Sequence, residues 1–186
     1  MLKAKNVQSN NMLDVDSNLN IIYQLLDGLR QSITPTLTLY SNTSQTLGYN
    51  SEYVTITFEN ASVNFENNAL SYDSEHSAIN VNPEVFSSYD IDGTIELRSE
   101  GEDPTKTIYM TFVEVLEDDS EVRHTPIFRE PLGYRSQNQR LLSFHFNIAP
   151  EARCKQIKIN ITTNDTVALS KVFASVSVKG ITRNMS

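Results

Sequence analysis

The fold prediction depends most on residues 142–161, LSFHFNIAPEARCKQIKINI. Apolar side chains occupy every second position on either side of residues 149–153, at Leu142, Phe144, Phe146, Ile148, Ile157, Ile159 and Ile161. Because successive side chains of a strand point to opposite faces, this period of two predicts two strands that each bury one face. His145 falls on the polar side of the first strand, where we expect it to face solvent or a neighbouring subunit.

The same period continues along most of the chain. Further strands are predicted around Leu37 and Leu39, Val54, Ile56 and Phe58, Val63 and Phe65, Leu70 and Tyr72, Ile79 and Val81, Ile95 and Leu97, Thr107 through Leu116, and Val172, Ala174, Val176 and Val178. Turns are predicted at residues 90–93 and 117–120, the second before a return strand near Val122. Roughly eight to ten short strands without a helical crossover predict a mainly β protein, an antiparallel β-sandwich of jelly-roll-like type.

Residues 13–33 have a different period, which predicts one short coiled-coil helix before the sandwich. Apolar residues are spaced alternately by four and three, and the predicted oligomer interface is Val15, Leu19, Ile22, Leu26, Leu29 and Ile33. Leucine at the central a position with isoleucine at d favours three or more helices, so a homotrimer is the first expectation. The alternative is a single amphipathic helix packed on its own sandwich. Pro35 ends the helix, because it restricts the preceding residue to extended geometry.

Three segments follow from these patterns: an N-terminal docking tail at 1–12, a helical oligomerisation segment at 13–34 and a β-sandwich head at 35–186. The tail is polar and aperiodic, so it should become ordered only on a partner, such as another protein of a larger assembly. The alternative is a tail that lies on its own subunit.

Charge and composition narrow the function classes. The net charge is −8, yet residues 51–121 hold 17 acidic and 2 basic side chains, whereas residues 122–186 hold 3 acidic and 10 basic ones. No apolar run approaches the roughly 20 residues that cross a bilayer, so no membrane partner is expected. The first residues lack the apolar core of a secretory signal, which favours assembly in a cytoplasm. Cys154 is the only cysteine, so an intrachain disulfide is excluded.

No motif predicts catalysis, a cofactor or a metal. The three histidines, His76, His124 and His145, lie in different segments, and neither a nucleophile elbow nor a Cys-x-x-Cys pair occurs. Acidic clusters at Asp90 and Asp92, at residues 100–103 and at residues 117–119 leave calcium binding open, but no distal acid completes a calcium loop, which favours solvated turns. We therefore expect a non-enzymatic protein without cofactor.

Residues 123–140 concentrate arginine, proline and aromatic side chains. The candidate interface loop residues are Arg123, Phe128, Arg129, Tyr134, Arg135 and Arg140. Arginine and tyrosine give large contact area at limited entropic cost, which suits a protein interface. An ordinary connecting loop is the alternative, and the acidic balance of the whole chain argues against nucleic acid. For a host surface glycan, Tyr40, Tyr49, Tyr72 and Tyr89 are the candidate aromatic platforms.

The layout of the chain resembles that of the trimeric virion proteins of tailed bacteriophages, namely head fibres, decoration proteins and short tail or baseplate fibres. The shared features are a polar tail, a short heptad helix and a sandwich that is rich in Thr, Asn and Ser and has no cysteine pairs. The resemblance is one of layout and includes no sequence motif. It implies a structural homotrimer of the virion, attached to a capsid or tail through its N-terminus, with the head facing outward or toward a host surface. The alternative is a receptor- or carbohydrate-binding head of a fibre.

Overall fold

The computed structural model describes residues 18–23, 34–47, 52–64, 69–99, 107–124, 128–131, 139–163 and 169–182. The chain divides into two compact units, Met1–Thr34 and Pro35–Ser186. In the first unit, residues 18–23 form a helix. Among the described residues, no helix combines the length and apolar character needed to cross a bilayer.

The second unit is built from antiparallel strands. In chain order they are β1 (Thr36–Ser41), β2 (Gln45–Thr46), β3 (Val54–Thr55), β4 (Asn60–Val63), β5 (Leu70–Asp73), β6 (Ala78–Val81), β7 (Phe86–Ser99), β8 (Thr107–Leu116), β9 (Glu121–Arg123), β10 (Phe128–Pro131), β11 (Gln139–Ile148), β12 (Cys154–Thr163) and β13 (Leu169–Thr182).

These strands form two sheets. Sheet A has the order β11-β7-β13-β1-β4, with β2 paired to β13, and sheet B has the order β10-β8-β12-β6-β5, with β3 paired to β12 and β9 to β8. The chain passes between the sheets at β6 to β7 and at β12 to β13, whereas β5 with β6 and β8 with β9 pair as sequence neighbours within sheet B. Two such antiparallel sheets are the jelly-roll arrangement. The predicted fold class, a mainly β jelly-roll-like sandwich, is confirmed.

The core lies between the sheets and follows the predicted alternation. Ile157, Ile159 and Ile161 of β12 in sheet B are at most 2% exposed, and Leu142 and Phe144 of β11 in sheet A are buried in the same core. Strand β8 has the predicted bounds, Thr107–Leu116, and residues 117–120 form the predicted turn to β9. In that turn Asp119 adopts a φ of 64°, and the Leu116 amide donates to the carbonyl of Ser120.

The prediction of a turn at residues 90–93 is wrong, because β7 runs through them without interruption. Asp90 and Asp92 lie on the outer face of sheet A, while Ile91 is fully buried. Gly93 lies opposite Phe144 in the register of β7 and β11, and a Cβ at Gly93 would be 2.2 Å from Phe144 Cζ. Glycine at this position therefore makes room for a core ring within a strand.

The predicted apolar face of β13 is right for Ala174, Val176 and Val178 and wrong for Val172. The register of β13 against β7 shifts between Lys171 and Phe173, which is a β-bulge. A one-residue slip exchanges the faces of a strand. As a result Leu169 and Lys171 point inward before the bulge, and Val172 is only half-buried.

Residues 56–58 do not continue β3 as predicted, although Ile56 and Phe58 are buried. The Ile56 amide still donates to the carbonyl of Ile159 in β12 at 2.9 Å, but the next two amides bind side chains: that of Thr57 donates to Gln45 Oε1 at 3.0 Å, and that of Phe58 donates to the Tyr72 hydroxyl at 3.1 Å. The hydrophobic pattern therefore predicted burial correctly, but side chains satisfy donors that a neighbouring strand would otherwise bind.

Candidate functional site

A buried lysine defines the first polar cluster of the sandwich. Lys171 is 0% exposed, and its ammonium group donates to the Ser41 hydroxyl and, at 3.0 Å, to the carbonyl of Thr57. The Ser41 hydroxyl in turn donates to Glu59 Oε1 at 3.1 Å. The hydroxyl thus bridges a buried cation and an exposed carboxylate, which stabilises the charge of Lys171 through one intermediate group.

The two charges of this cluster change each other's pKa. Burial lowers the pKa of Lys171, and the nearby Glu59 carboxylate offsets part of that effect. Partial desolvation acts to raise the pKa of Glu59, but the hydrogen bond from Ser41 and the charge of Lys171 outweigh it, so the pKa lies below its ordinary value. The pKa of Lys171 is thus lowered mainly by its burial, and that of Glu59 mainly by the hydrogen bond from Ser41.

Gln45 connects the same region to sheet B. Its Nε2 donates to the carbonyl of Thr55 at 2.8 Å, and its Oε1 accepts from the amide and the hydroxyl of Thr57. Gln45 lies directly opposite Lys171 in the pairing of β2 with β13, while Thr55 belongs to β3 of sheet B. The cluster therefore joins the two sheets, and both Ser41 and Lys171 are fully buried, so it acts as a structural link.

A second polar cluster surrounds the buried Glu114, which is 1% exposed. Glu114 Oε1 lies 2.6 Å from His124 Nε2, and Oε2 accepts from the amide of Glu151 at 2.8 Å. The carbonyl of His124 accepts from the Thr111 hydroxyl at 2.6 Å. These contacts join the end of β9 and the start of β12 to the middle of β8.

Cys154 lies beside this carboxylate and is 3% exposed. Burial, with the charge and hydrogen bonding of Glu114, raises the pKa of the thiol to about 12. A nucleophilic cysteine requires the opposite, a thiolate stabilised by a positive neighbour. The proximity of cysteine, histidine and glutamate here thus gives a protonated, inaccessible thiol, and its contacts are those of a core residue.

The remaining histidines lie at the surface. His145 Nδ1 is 2.7 Å from Asp92 Oδ1, with the side chain 65% exposed, so the predicted solvent-facing position is confirmed. His76 Nδ1 is 2.8 Å from Asp73 Oδ2 in the turn after β5. Within the described ranges, no group of three or more potential ligands could hold a metal ion.

The outer face of sheet A carries an aromatic pair. The rings of Tyr40 and Phe173 meet edge to face with centroids 6.1 Å apart, and Tyr40 is 37% exposed. Leu141 is 61% exposed and occupies the same row of the sheet as Phe173, with Glu96 between them. Of the other predicted sugar platforms, Tyr89 is fully buried and Tyr72 packs against Phe58, which leaves Tyr40 with an exposed ring. Tyr49 lies outside the described residues.

Two members of the predicted oligomer interface are described. Leu19 and Ile22 lie in the helix at 18–23 and are 45% and 50% exposed. Four others, Val15, Leu26, Leu29 and Ile33, lie outside the described residues.

The predicted interface loop at 123–140 is in part strand. Arg123 ends β9, with its guanidinium 4.6 Å from the centroid of the Tyr53 ring. Phe128 and Arg129 belong to β10, and Arg140 to β11. Tyr134 and Arg135 lie outside the described residues, so the interface itself stays a prediction.

Comparison with known proteins places the chain by its fold. No family model and no curated sequence matches it. The infectious bursal disease virus VP2 subviral particle aligns with 80% of this chain, at a TM-score of 0.50 and 16% identity. This chain spans about a third, 33%, of that viral protein.

This chain spans almost the whole length of two other similar structures. PRD1 vertex protein P5 and the globular domain of zebrafish complement 1qA protein each align over 81% of this chain and 99% of their own. Their TM-scores are 0.49 and 0.48, and both are 12% identical to it. The order of the strands in the two sheets defines the class of protein as a jelly-roll β-sandwich. At these identities the likeness describes the fold alone.

Proposed function

We propose that the chain is a non-enzymatic structural protein of a virion, a homotrimeric fibre or decoration protein attached through its N-terminus to a phage capsid or tail and assembled in the host cytoplasm. The observation that carries the proposal is the exposure of Leu19 and Ile22, 45% and 50%, on a helix with heptad spacing. Exposed apolar helix surface of this kind is typical of an interface. The described polar clusters, which join strands and sheets, fit a structural head.

Ile22→Asp should dissociate the oligomer, because a carboxylate at a d position would be buried in the helical seam. Ile21→Asp is the matched control: Ile21 is 53% exposed and lies one residue off the seam. Light scattering at physiological salt should give a mass of three chains or a multiple of three for the wild type and for Ile21→Asp, and a lower mass for Ile22→Asp. A wild-type monomer at micromolar concentration, or equal masses for both variants, would contradict the seam.

Removal of residues 1–12 should abolish incorporation into particles and leave the head folded. The proposed reason is that this polar segment supplies the contact with the capsid or tail, while the head at 35–186 holds the predicted strands. Particle incorporation is measured by sedimentation of complemented particles, and folding by the thermal unfolding curve. Unaltered incorporation would refute the docking tail.

The second candidate function, a receptor- or carbohydrate-binding head, is favoured by Tyr40, Phe173 and Leu141 on the outer face of sheet A. Sugars commonly bind beside exposed aromatic rings that have polar neighbours, and Asn42 Nδ2 donates to the Tyr40 hydroxyl at this position. Saturable binding in a glycan screen, lost in Tyr40→Ala, would distinguish this function from a purely structural role.

A further inference from the structure

Strand β11 is an unusual edge. It pairs with β7 over ten residues, from Gln139 to Ile148, in one unbroken register, and within the described part of the chain it has no second partner. The strand contains neither proline nor a bulge. An edge of this length and regularity presents a row of backbone donors and acceptors that another strand can bind.

The other edges of the two sheets are short. Strands β4 and β5 have 4 residues each, and the opposite edge of sheet B is divided between β9, with 3 residues, and β10, with 4. Pro131 also removes a backbone donor from β10. Short strands and prolines are the usual protection against edge pairing. Only β11, among the described edges, has neither.

The two faces of β11 limit what can pair with it. Its inner row holds Leu142, Phe144 and Ile148, which are buried in the core, whereas its outer row exposes the polar Ser143 and His145 beside the apolar Leu141. A partner strand continues both faces only if its own residues alternate in the same way and in the same phase. A second copy of β11 in antiparallel orientation meets that requirement when residues of equal parity lie opposite each other.

We propose that β11 pairs with β11 of a second copy of this chain, so that sheet A continues across a two-fold axis from one head to the other. Leu141, at 61% the most exposed large apolar side chain among the described residues of the head, would be covered by the added strand. The occupant is thus a second copy, since the same strand supplies both the apolar and the polar row.

Two pairing registers satisfy this alternation near the middle of β11, one centred on Ser143 and one centred on Phe144, and they differ in which charged residues they align. Gln139 lies opposite Arg98, and Asn147 lies opposite Asp90. When the two-fold axis passes through Ser143, Gln139 lies opposite Asn147 of the second copy. One row of side chains across the four strands then begins at Arg98 of the first copy and ends at Asp90 of the second copy. Both registers also bring two acidic residues into one row, Glu96 with Asp92 of the second copy when centred on Ser143 and Glu96 with Asp90 of the second copy when centred on Phe144. Only the Ser143-centred register adds the row with the opposite charges of Arg98 and Asp90.

The Ser143-centred register is therefore the favoured one. The charges stand about three strand spacings apart, or roughly 14 Å. At that distance salt screens them at physiological ionic strength, so they add little affinity and bias the register only weakly.

The test uses Ser143→Cys in the full chain, with Ser62→Cys on the short edge β4 as the matched control. Both positions are exposed, and Cys154 is buried, so oxidation reports on the introduced cysteine alone. At micromolar concentration, most Ser143→Cys chains should form a disulfide-linked dimer on a non-reducing gel and few Ser62→Cys chains should. Equal cross-linking in the two variants would overturn the proposal.

A second measurement avoids covalent chemistry. Ser143→Lys places a charge at the centre of the edge and should halve the mass of the assembly, while Ser62→Lys should leave it unchanged. An unchanged mass for Ser143→Lys would also overturn the pairing.

The strand pairing and the helical seam are separate contacts, so the inference goes beyond the proposed function. Repeating the cross-linking in Ile22→Asp chains separates them: the Ser143→Cys dimer should persist whether or not the helix holds a trimer. Loss of the dimer in that background would show that the contact depends on the seam, and the two-fold pairing would then be wrong.

Discussion

Replacement of Gly93 by alanine is expected to lower the free energy of unfolding by about 3 kcal/mol, at the upper end of what overpacking a core costs. The added Cβ would lie 2.2 Å from Phe144 Cζ and 2.7 Å from both Cε atoms. No real Cβ contact is that short, so the ring or the strand must move. Phe144 is 7% exposed and stacks on Phe146 with centroids 5.5 Å apart, which leaves the ring little room to shift.

Gly93→Ala separates the clash of the new Cβ with Phe144 from the effect of alanine on the flexibility of the backbone. Gly93 does not have a positive φ, so alanine fits its backbone and would by itself add about 0.4–1 kcal/mol of stability through the unfolded state. Urea unfolding of Gly93→Ala, Phe144→Leu and the double variant gives the coupling. Phe144→Leu should destabilise the wild type and stabilise Gly93→Ala. A Gly93→Ala variant as stable as the wild type would contradict the prediction.

Gly93 also shows why the sequence predicted a turn within a strand. Asp-Ile-Asp-Gly has the composition of a turn, and local composition is all that a single sequence offers at this point. The residue that decides the matter is Phe144, which becomes a neighbour of Gly93 only once β7 and β11 pair. Where strands were long and rich in β-branched and other apolar residues, as in β8 and β12, the local pattern was sufficient and their bounds or faces were predicted correctly.

The two buried polar clusters were missed for a related reason. Glu114 falls within a predicted strand, but its partners His124 and Glu151 come from other segments, and no spacing in the sequence connects them. Lys171 had one usable signal: it shares parity with Leu169, whereas the apolar face of Ala174 and Val176 has the opposite parity. A change of phase within one apolar strand indicates a bulge, and that bulge turns Lys171 inward.

The second large effect is expected at Lys171. Lys171→Ala should lower the free energy of unfolding by about 3 kcal/mol, because it removes a fully buried aliphatic chain and leaves a cavity. It also removes the donor to the Thr57 carbonyl. Lys171→Met keeps most of the volume and removes the buried charge, and such replacements are often neutral or stabilising. Denaturant unfolding should therefore rank the methionine variant well above the alanine variant; equal losses would show that the charge itself stabilises the fold.

The pH dependence of the free energy of unfolding tests the same point, because the burial of Lys171 determines its direction. Burial lowers the pKa of Lys171 from its ordinary value of 10.5. Between the lowered pKa and 10.5 the unfolded chain binds more protons than the folded one, so this group makes the fold more stable as pH rises through that window. The stability of wild type relative to Lys171→Met should accordingly increase from neutral pH toward 10. Glu59→Gln removes the carboxylate that offsets the effect of burial, so it should lower the pKa of Lys171 further and extend the window to lower pH. A difference between wild type and Lys171→Met that stays constant over this range would mean that the folded chain holds the ammonium as readily as water does.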